Sequence, residues 1–248
     1  MPIYQPAWAS DNCLFISETL FLNKYSLITS FCWNMSEFKK TTRNTVLRQA
    51  ARGHYDQKTV YSILDEGYLC HAGFSVGGRP FVIPTLYARS GDSVFIHGSA
   101  VSRMLKEFEK GIDVCITVTL VDGIVLARSA FHHSMNYRSV LVFGKGRLVK
   151  ETEEKLRVLE KISENLLPGR WKDSRKPTRK ELDVTSVIKI PISEASAKIR
   201  KGDPSDDQRD YELPIWAGVL PIETGFGTPL PDTRLADGID LPDYLETL

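Results

Sequence analysis

No CxxC pair occurs in the chain, and its four cysteines, Cys13, Cys32, Cys70 and Cys115, are too scattered to frame a zinc site or a disulfide scaffold. They suit a reducing, cytoplasmic compartment. Cys70 and Cys115 fall inside the apolar runs GYLCHAGF and DVCITVTL, where a thiol behaves as a small buried hydrophobe. A surplus of charge is also missing. Thirty-two basic residues against 31 acidic ones leave a net charge of +1, which offers no broad field to nucleic acid or to an anionic membrane. Any anion must therefore be held locally. No uninterrupted apolar run approaches the ~20 residues that span a bilayer. No dinucleotide-binding glycine fingerprint and no Walker loop is present, so the motif-borne nucleotide folds are not expected.

What is present is an ordinary soluble composition, 42% hydrophobic and 25% charged, enough for one core-bearing domain with appendages. Residues 1–34 are aromatic and apolar but broken by Glu18, Asn23 and Lys24, and lack the basic start and small-residue cleavage site of a secretory signal. Met35 opens a polar, basic stretch, so residues 1–34 read as a leader from a misassigned start, outside the domain. From Asp56 the segment DQKTVYSILDEG places Val60, Ile63 and Leu64 on one helical face before Gly67. GYLCHAGF, RPFVIPTLYAR and SVFIHG follow as short strands linked by glycine-bearing turns. After a short helix around SRMLKEFEKG come DVCITVTL and GIVLARSAF, joined at Val121-Asp122-Gly123, and then YRSVLVFGKGRLV. That makes about six strands, the number a small barrel requires. A helix over ETEEKLRVLEKISENLL, a basic link WKDSRKPTRKE and a last strand TSVIKIPI lead to a tail rich in proline and aspartate. The expected class is mainly β with flanking helices, with a domain over 35–223 and an extended tail over 224–248.

The chemistry concentrates between Phe81 and Ser139. In FIHGSAVSRML a strand runs through His97-Gly98-Ser99 into a helix near Ser102-Arg103. Helix-terminal N–H groups, two hydroxyls and the Arg103 fork make a phosphate cradle. A serine before a helix is also an ordinary N-cap. Pro84 in VIPTLY removes a donor within a strand, which places that stretch on an edge or bulge. His97 and the adjacent pair His132-His133 do not make a metal site, because neighbours on a strand point to opposite faces.

These blocks carry a resemblance. YDQKTVYSILDEGYLCHAGF, RPFVIPTLYAR, FIHGSAVSRML, VTLVDGIVLARSAFHHSMNYRSVLVFG and LPIWAGVLPIE together resemble the flavin-nucleotide-binding proteins related to pyridoxamine phosphate oxidase and the nitroimidazole-resistance reductases. The longest block, Asp122 to Gly144, is the most specific. The resemblance implies an FMN-binding split β-barrel that forms a homodimer with flavin in the groove between subunits. It implies phosphate contacts at His97, Gly98, Ser99, Ser102 and Arg103, the group picked out above from the residues alone. It further implies ring contacts along Val82, Ile83, Pro84, Thr85 and Tyr87, and an approach to the cofactor by Trp216. Read from the residues, Tyr137 is a candidate proton donor near the ring, and Arg138 either reaches the phosphate or the partner flavin or sits in an interface salt bridge. The arginine that follows the tryptophan in pyridoxamine phosphate oxidases has no evident counterpart, which argues against vitamin B6 oxidation. Two functions remain open: an oxidoreductase passing electrons from a nicotinamide donor, NAD(P)H, to a small organic acceptor, or a non-catalytic carrier or sensor of flavin, haem or deazaflavin. No catalytic acid or base is assigned, because a flavin supplies the redox chemistry itself.

Overall fold

The computed structural model describes residues 36–246, and the expected leader, 1–34, lies outside the described residues. The elements run β1 (Gly53–His54), α1 (Gln57–Glu66), β2 (Leu69–Val76), β3 (Arg79–Ser90), β4 (Ser93–Ser99), α2 (Arg103–Glu109) and β5 (Asp113–Leu126). They continue through β6 (Ser134–Lys145), β7 (Arg147–Leu148), α3 (Thr152–Leu166), α4 (Arg179–Asp183), β8 (Thr185–Pro191), β9 (Glu194–Arg200), β10 (Gly218–Pro221) and α5 (Asp243–Glu246). All strand pairs are antiparallel, in the order β1-β9-β6-β5-β2-β3-β4-β8-β7, with β10 added alongside β5.

Local chemistry explains the early elements. Asp56 caps α1 by accepting a hydrogen bond from the Thr59 amide at 2.8 Å. Val60, Ile63 and Leu64 then turn one face of that helix into the core. The β2–β3 hairpin closes through Gly77 and Gly78, both at positive φ (55° and 74°), a conformation costly for other residues.

β3 is where the sheet splits. Arg79–Leu86 pair with β2, whereas Tyr87–Ser90 pair with β4. The first half of the strand therefore has one edge without a strand partner among the described residues. Inside the curve lies the main core, where α1 meets Cys70 and Ala72 of β2, Ile96 of β4, Phe108 of α2 and Ile116 of β5. Burial pushes the Cys70 thiol up to about 12, so it is an inert packing group. A second cluster, with Phe95, Val158, Ile162 and Val187, holds α3 against the outer face of β4 and β8.

Several expectations change. The sheet has ten strands instead of about six, and TSVIKIPI is not the last of them, because β9 and β10 follow it. β5 is one continuous strand through Val121-Asp122-Gly123, which forms a register shift against β6 instead of a hairpin turn. The reversal comes later, where Ser129 caps a single 3-10 turn over Ala130–His132. His132 and His133 thus lie in a turn, outside any strand.

After β9 the chain crosses back over this turn. The Asp206 carboxylate accepts from the Arg128 and Ser129 amides, both at 3.0 Å, and from Arg128 Nη1 at 3.3 Å. β10 then pairs with the far end of β5, and residues 223–241 run exposed, without helix or strand and with turns at 233–234 and 237–238. Near the end, Tyr244 lies on Gly169, accepting from Arg170 Nη1 and donating to Asp173, both at 3.2 Å. Burial alone raises the Asp206 pKa, but the two amides and Arg128 outweigh it and hold the carboxyl below its ordinary 3.8. A depressed folded pKa gives stability that is present above 3.8 and lost as the pH falls through the lower folded value. Residues 201–222 should therefore loosen in acid ahead of the barrel, read as faster proteolysis or hydrogen exchange. Asp206→Asn should flatten that pH dependence, and identical acid profiles for parent and variant would contradict the assignment.

Candidate functional site

The turn after β4 is built from its own hydroxyls and amides. Ser102 N donates to the Ser99 carbonyl at 2.9 Å and Val101 N to Ser99 Oγ at 3.4 Å, which closes the chain tightly before α2. Gly98 is required by close approach, since a Cβ there would sit 3.1 Å from Leu105 Cδ1. Ser102 stands at the N-cap of α2 without a side-chain capping bond, so its hydroxyl is not consumed by the helix. Arg103, the first residue of α2, lays its guanidinium over the Phe81 ring at 4.7 Å. Phe81 in turn stacks on Phe74 at 5.3 Å. This aromatic ladder anchors the cation beside the unpartnered half of β3, where Val82 and Pro84 are exposed and Ile83 packs against the core. Thr85 is half-buried and donates weakly to the Leu86 carbonyl at 3.4 Å. The segment 98–103 and the ring-contact segment 82–85 are thus brought to one open edge. No ion pair involving Arg103 forms among the described residues. The exposed cation is available for an anion.

Other expected residues go elsewhere. Tyr87 is 1% exposed and donates to the Leu64 carbonyl at 2.6 Å, so its side chain belongs to the core. His97 is displaced from the cradle by strand alternation: Ile96 faces the main core, so His97 shares the outer face with Phe95 and turns beneath α3. Its Nδ1 is buried without a hydrogen-bond partner, and burial lowers its pKa. Arg138 is held by two carboxylates, with Nη2 at 2.7 Å from both Glu66 and Asp122, and both acids raise its pKa, Glu66 first. A guanidinium so paired does not reach for a phosphate within its own chain. Trp216 is 69% exposed and covers Gly218, just ahead of β10.

Tyr137 lines a different cavity, of about 1060 Å³, together with Arg48, Arg52, Lys198 and Arg200. Arg200 donates to Asn136 and to the Gly202 carbonyl, and its pKa is lowered by burial first and by neighbouring Arg52 second. The sequence did not mark this group, because its members come from segments about 150 residues apart. At its edge His132 Nε2 lies 3.6 Å from Asp207, and His133 Nε2 lies 3.1 Å from the Ala127 carbonyl. A third cavity, of about 530 Å³, brings His71 near Glu66 and Asp122. No group of three or more His, Cys, Asp or Glu side chains among the described residues could hold a metal ion. Gly73-Phe74-Ser75-Val76-Gly77 has the spelling of a nucleophile elbow, but it lies in a hairpin and not in a strand-to-helix turn.

An antiparallel sheet that opens within one strand, flanked by helices, defines the split-barrel class. Residues 56–199 match the model of the pyridoxamine 5'-phosphate oxidase family, and the chain belongs to that family. It is similar to a flavocytochrome from Azotobacter vinelandii, with 40% identity over 84% of this chain and 96% of that one and a TM-score of 0.78. It is also similar to a FAD- and haem-binding protein from Mycobacterium smegmatis, with 32% identity over 79% of this chain and 96% of that one and a TM-score of 0.75. No curated protein matches the chain. No helix among the described residues is long and apolar enough to cross a membrane.

Proposed function

We propose that the protein is a flavin-dependent oxidoreductase that works as a homodimer in the cytoplasm and passes electrons from a nicotinamide donor to a small organic acceptor. The observation that carries this reading is the pairing of an ion-free Arg103 with the open edge of β3. Arg103, Ser99, Ser102 and the amides after Gly98 would hold the phosphate of FMN. The free backbone groups along Val82–Thr85 would take the polar rim of the ring. A bound flavin supplies hydride and single-electron chemistry, while the chain binds, orients and shields it. Large exposed apolar side chains on the C-terminal segment, Trp216, Phe226 and Leu230 among them, favour burial against a second copy. The two related structures, described as a flavocytochrome and as FAD- and haem-binding, support flavin and favour haem as a second cofactor.

The purified protein should be yellow, bleach with NADPH under anaerobic conditions and recover its colour when a nitro compound or quinone is added. Light scattering should give about twice the 28.0 kDa chain mass. A yellow protein inert to donor and acceptor is a carrier, and a flavin-loaded monomer would rule out a shared site.

A further inference from the structure

The cavity of about 1060 Å³ beside β9 and β6 is at the upper end of the usual size for small-molecule sites. Its cations are brought together by topology. Ala195 and Ala197 of β9 face the core, so Lys198 and Arg200, two apart on that strand, share the opposite face. Gly53 of β1 pairs with Lys198, which carries the preceding turn, and with it Arg48 and Arg52, to the same wall. Tyr137 of β6 stands in register with Arg200. Gln49, between the two arginines, is the one non-glycine residue at positive φ among the described residues (57°), a conformation that gathers at ligand clamps.

The charges are not neutralised. No carboxylate lines the cavity, and none of its four Lys and Arg side chains forms an ion pair among the described residues. The half-buried arginines elsewhere, Arg89, Arg128 and Arg138, each meet a carboxylate. Arg200 is only 8% exposed and donates to the Asn136 side chain and to the Gly202 and Asp203 carbonyls, the last two at 3.2 and 3.3 Å. These neutral acceptors fix the fork in place without cancelling its charge. Burying a charge with no counter-ion is costly, which points to an anion from outside the chain.

Four cations exceed what a monoanion needs and match a ligand with two or more phosphates. Gln49, Ser134 and Ser205 add neutral donors, while Ile124, Met135 and an 88% exposed Phe131 at the lip suit a planar base. Asp207, 3.6 Å from His132 Nε2, stands outside the lining. With a net charge of +1 the molecule has no broad field, so this local surplus addresses a small ligand and not a polymer. We infer that the cavity binds a nucleotide, its phosphates held by Arg48, Arg52, Lys198 and Arg200 and its base against Phe131 and Met135. The phosphates belong either to the adenylate half of a phosphorylated nicotinamide donor or to a free nucleotide. The site is separate from the Arg103 edge and does not depend on the flavin reading.

The test is calorimetric titration of the full-length protein as purified with ADP and with adenosine 2',5'-bisphosphate, adenosine being the uncharged reference. The parent should bind one of the two nucleotides per chain, and adenosine at least about tenfold more weakly. Arg52→Gln and Lys198→Gln, both at half-buried positions, should each weaken that nucleotide by about tenfold or more. Lys172→Gln, at an exposed position after α3, should behave as the parent. Binding of the bisphosphate, with KM for NADPH raised in Arg52→Gln and KM for NADH unchanged, identifies the donor as the source. Binding of ADP with both KM values unmoved identifies a free nucleotide. The inference is overturned if the parent binds neither, if both Gln variants keep the parent's affinity, or if they lose flavin absorbance, which would assign the cavity to the flavin. A parent that binds nucleotide but carries no flavin removes the flavin proposal and leaves this one standing.

Discussion

Replacing Arg103 by alanine should weaken FMN binding tenfold to a hundredfold and leave riboflavin binding nearly unchanged. A charge-assisted hydrogen bond from a positioned guanidinium contributes about 1.5–3 kcal/mol, and each decade of affinity corresponds to about 1.4 kcal/mol. The side chain is pre-positioned by the Phe81 face, so little ordering is lost when the anion arrives. Riboflavin lacks the phosphate and should not register the change. Titrating both ligands into the parent and Arg103→Ala separates the cases. Unchanged FMN affinity would make Arg103 a solvated first-turn residue, and equal losses for both ligands would indicate a damaged fold.

Phe108→Ala should cost about 3–5 kcal/mol of unfolding free energy, a large part of the roughly 5–15 kcal/mol available to a domain. The ring is fully buried and meets Phe74 edge-on at 5.0 Å. Its backbone is equally hemmed in, since a Cβ on Gly146 would be 2.9 Å from the Phe108 carbonyl oxygen. Chemical denaturation should show a lower midpoint with an unchanged slope. A loss under about 1 kcal/mol would mean that α2 is not keyed into the core by this residue.

The parts of this fold that announce themselves are those where side-chain type and position agree. Val60, Ile63 and Leu64 at helical spacing marked α1, and the apolar runs around Ala72, Ile96 and Ile116 marked core strands. β9 carries no such signal. Its buried positions are Arg200 and the run Ala195, Ser196 and Ala197, small residues of low strand preference that form a strand only because β1 and β6 flank them. The Gly123 signal was misleading for a related reason: a glycine inside a strand serves a bulge as readily as a turn, and pairing across 14 residues of β5 decided the outcome. At the site, the cradle and the β3 edge were legible because they are local. The facing of His97 depended on which side of β4 the third helix covers, and the engagement of Arg138 on carboxylates distant in sequence. Neither is encoded in a window of residues.

The half-open β3 strand has a further consequence, for self-association. An unpaired strand edge is a template on which another chain can add, the usual first step of aggregation. Within the stretch that lacks a partner stand Pro80 and Pro84, facing Ser75 and His71 across the β2 ladder. Neither has an N–H to offer, and a proline that keeps its place in a ladder turns its missing donor toward the free side. An incoming strand would find its acceptors unmatched at two alternate rungs, whereas a small flat molecule needs only a few groups between them. The same two prolines that keep this edge from recruiting a strand leave it open to a ligand.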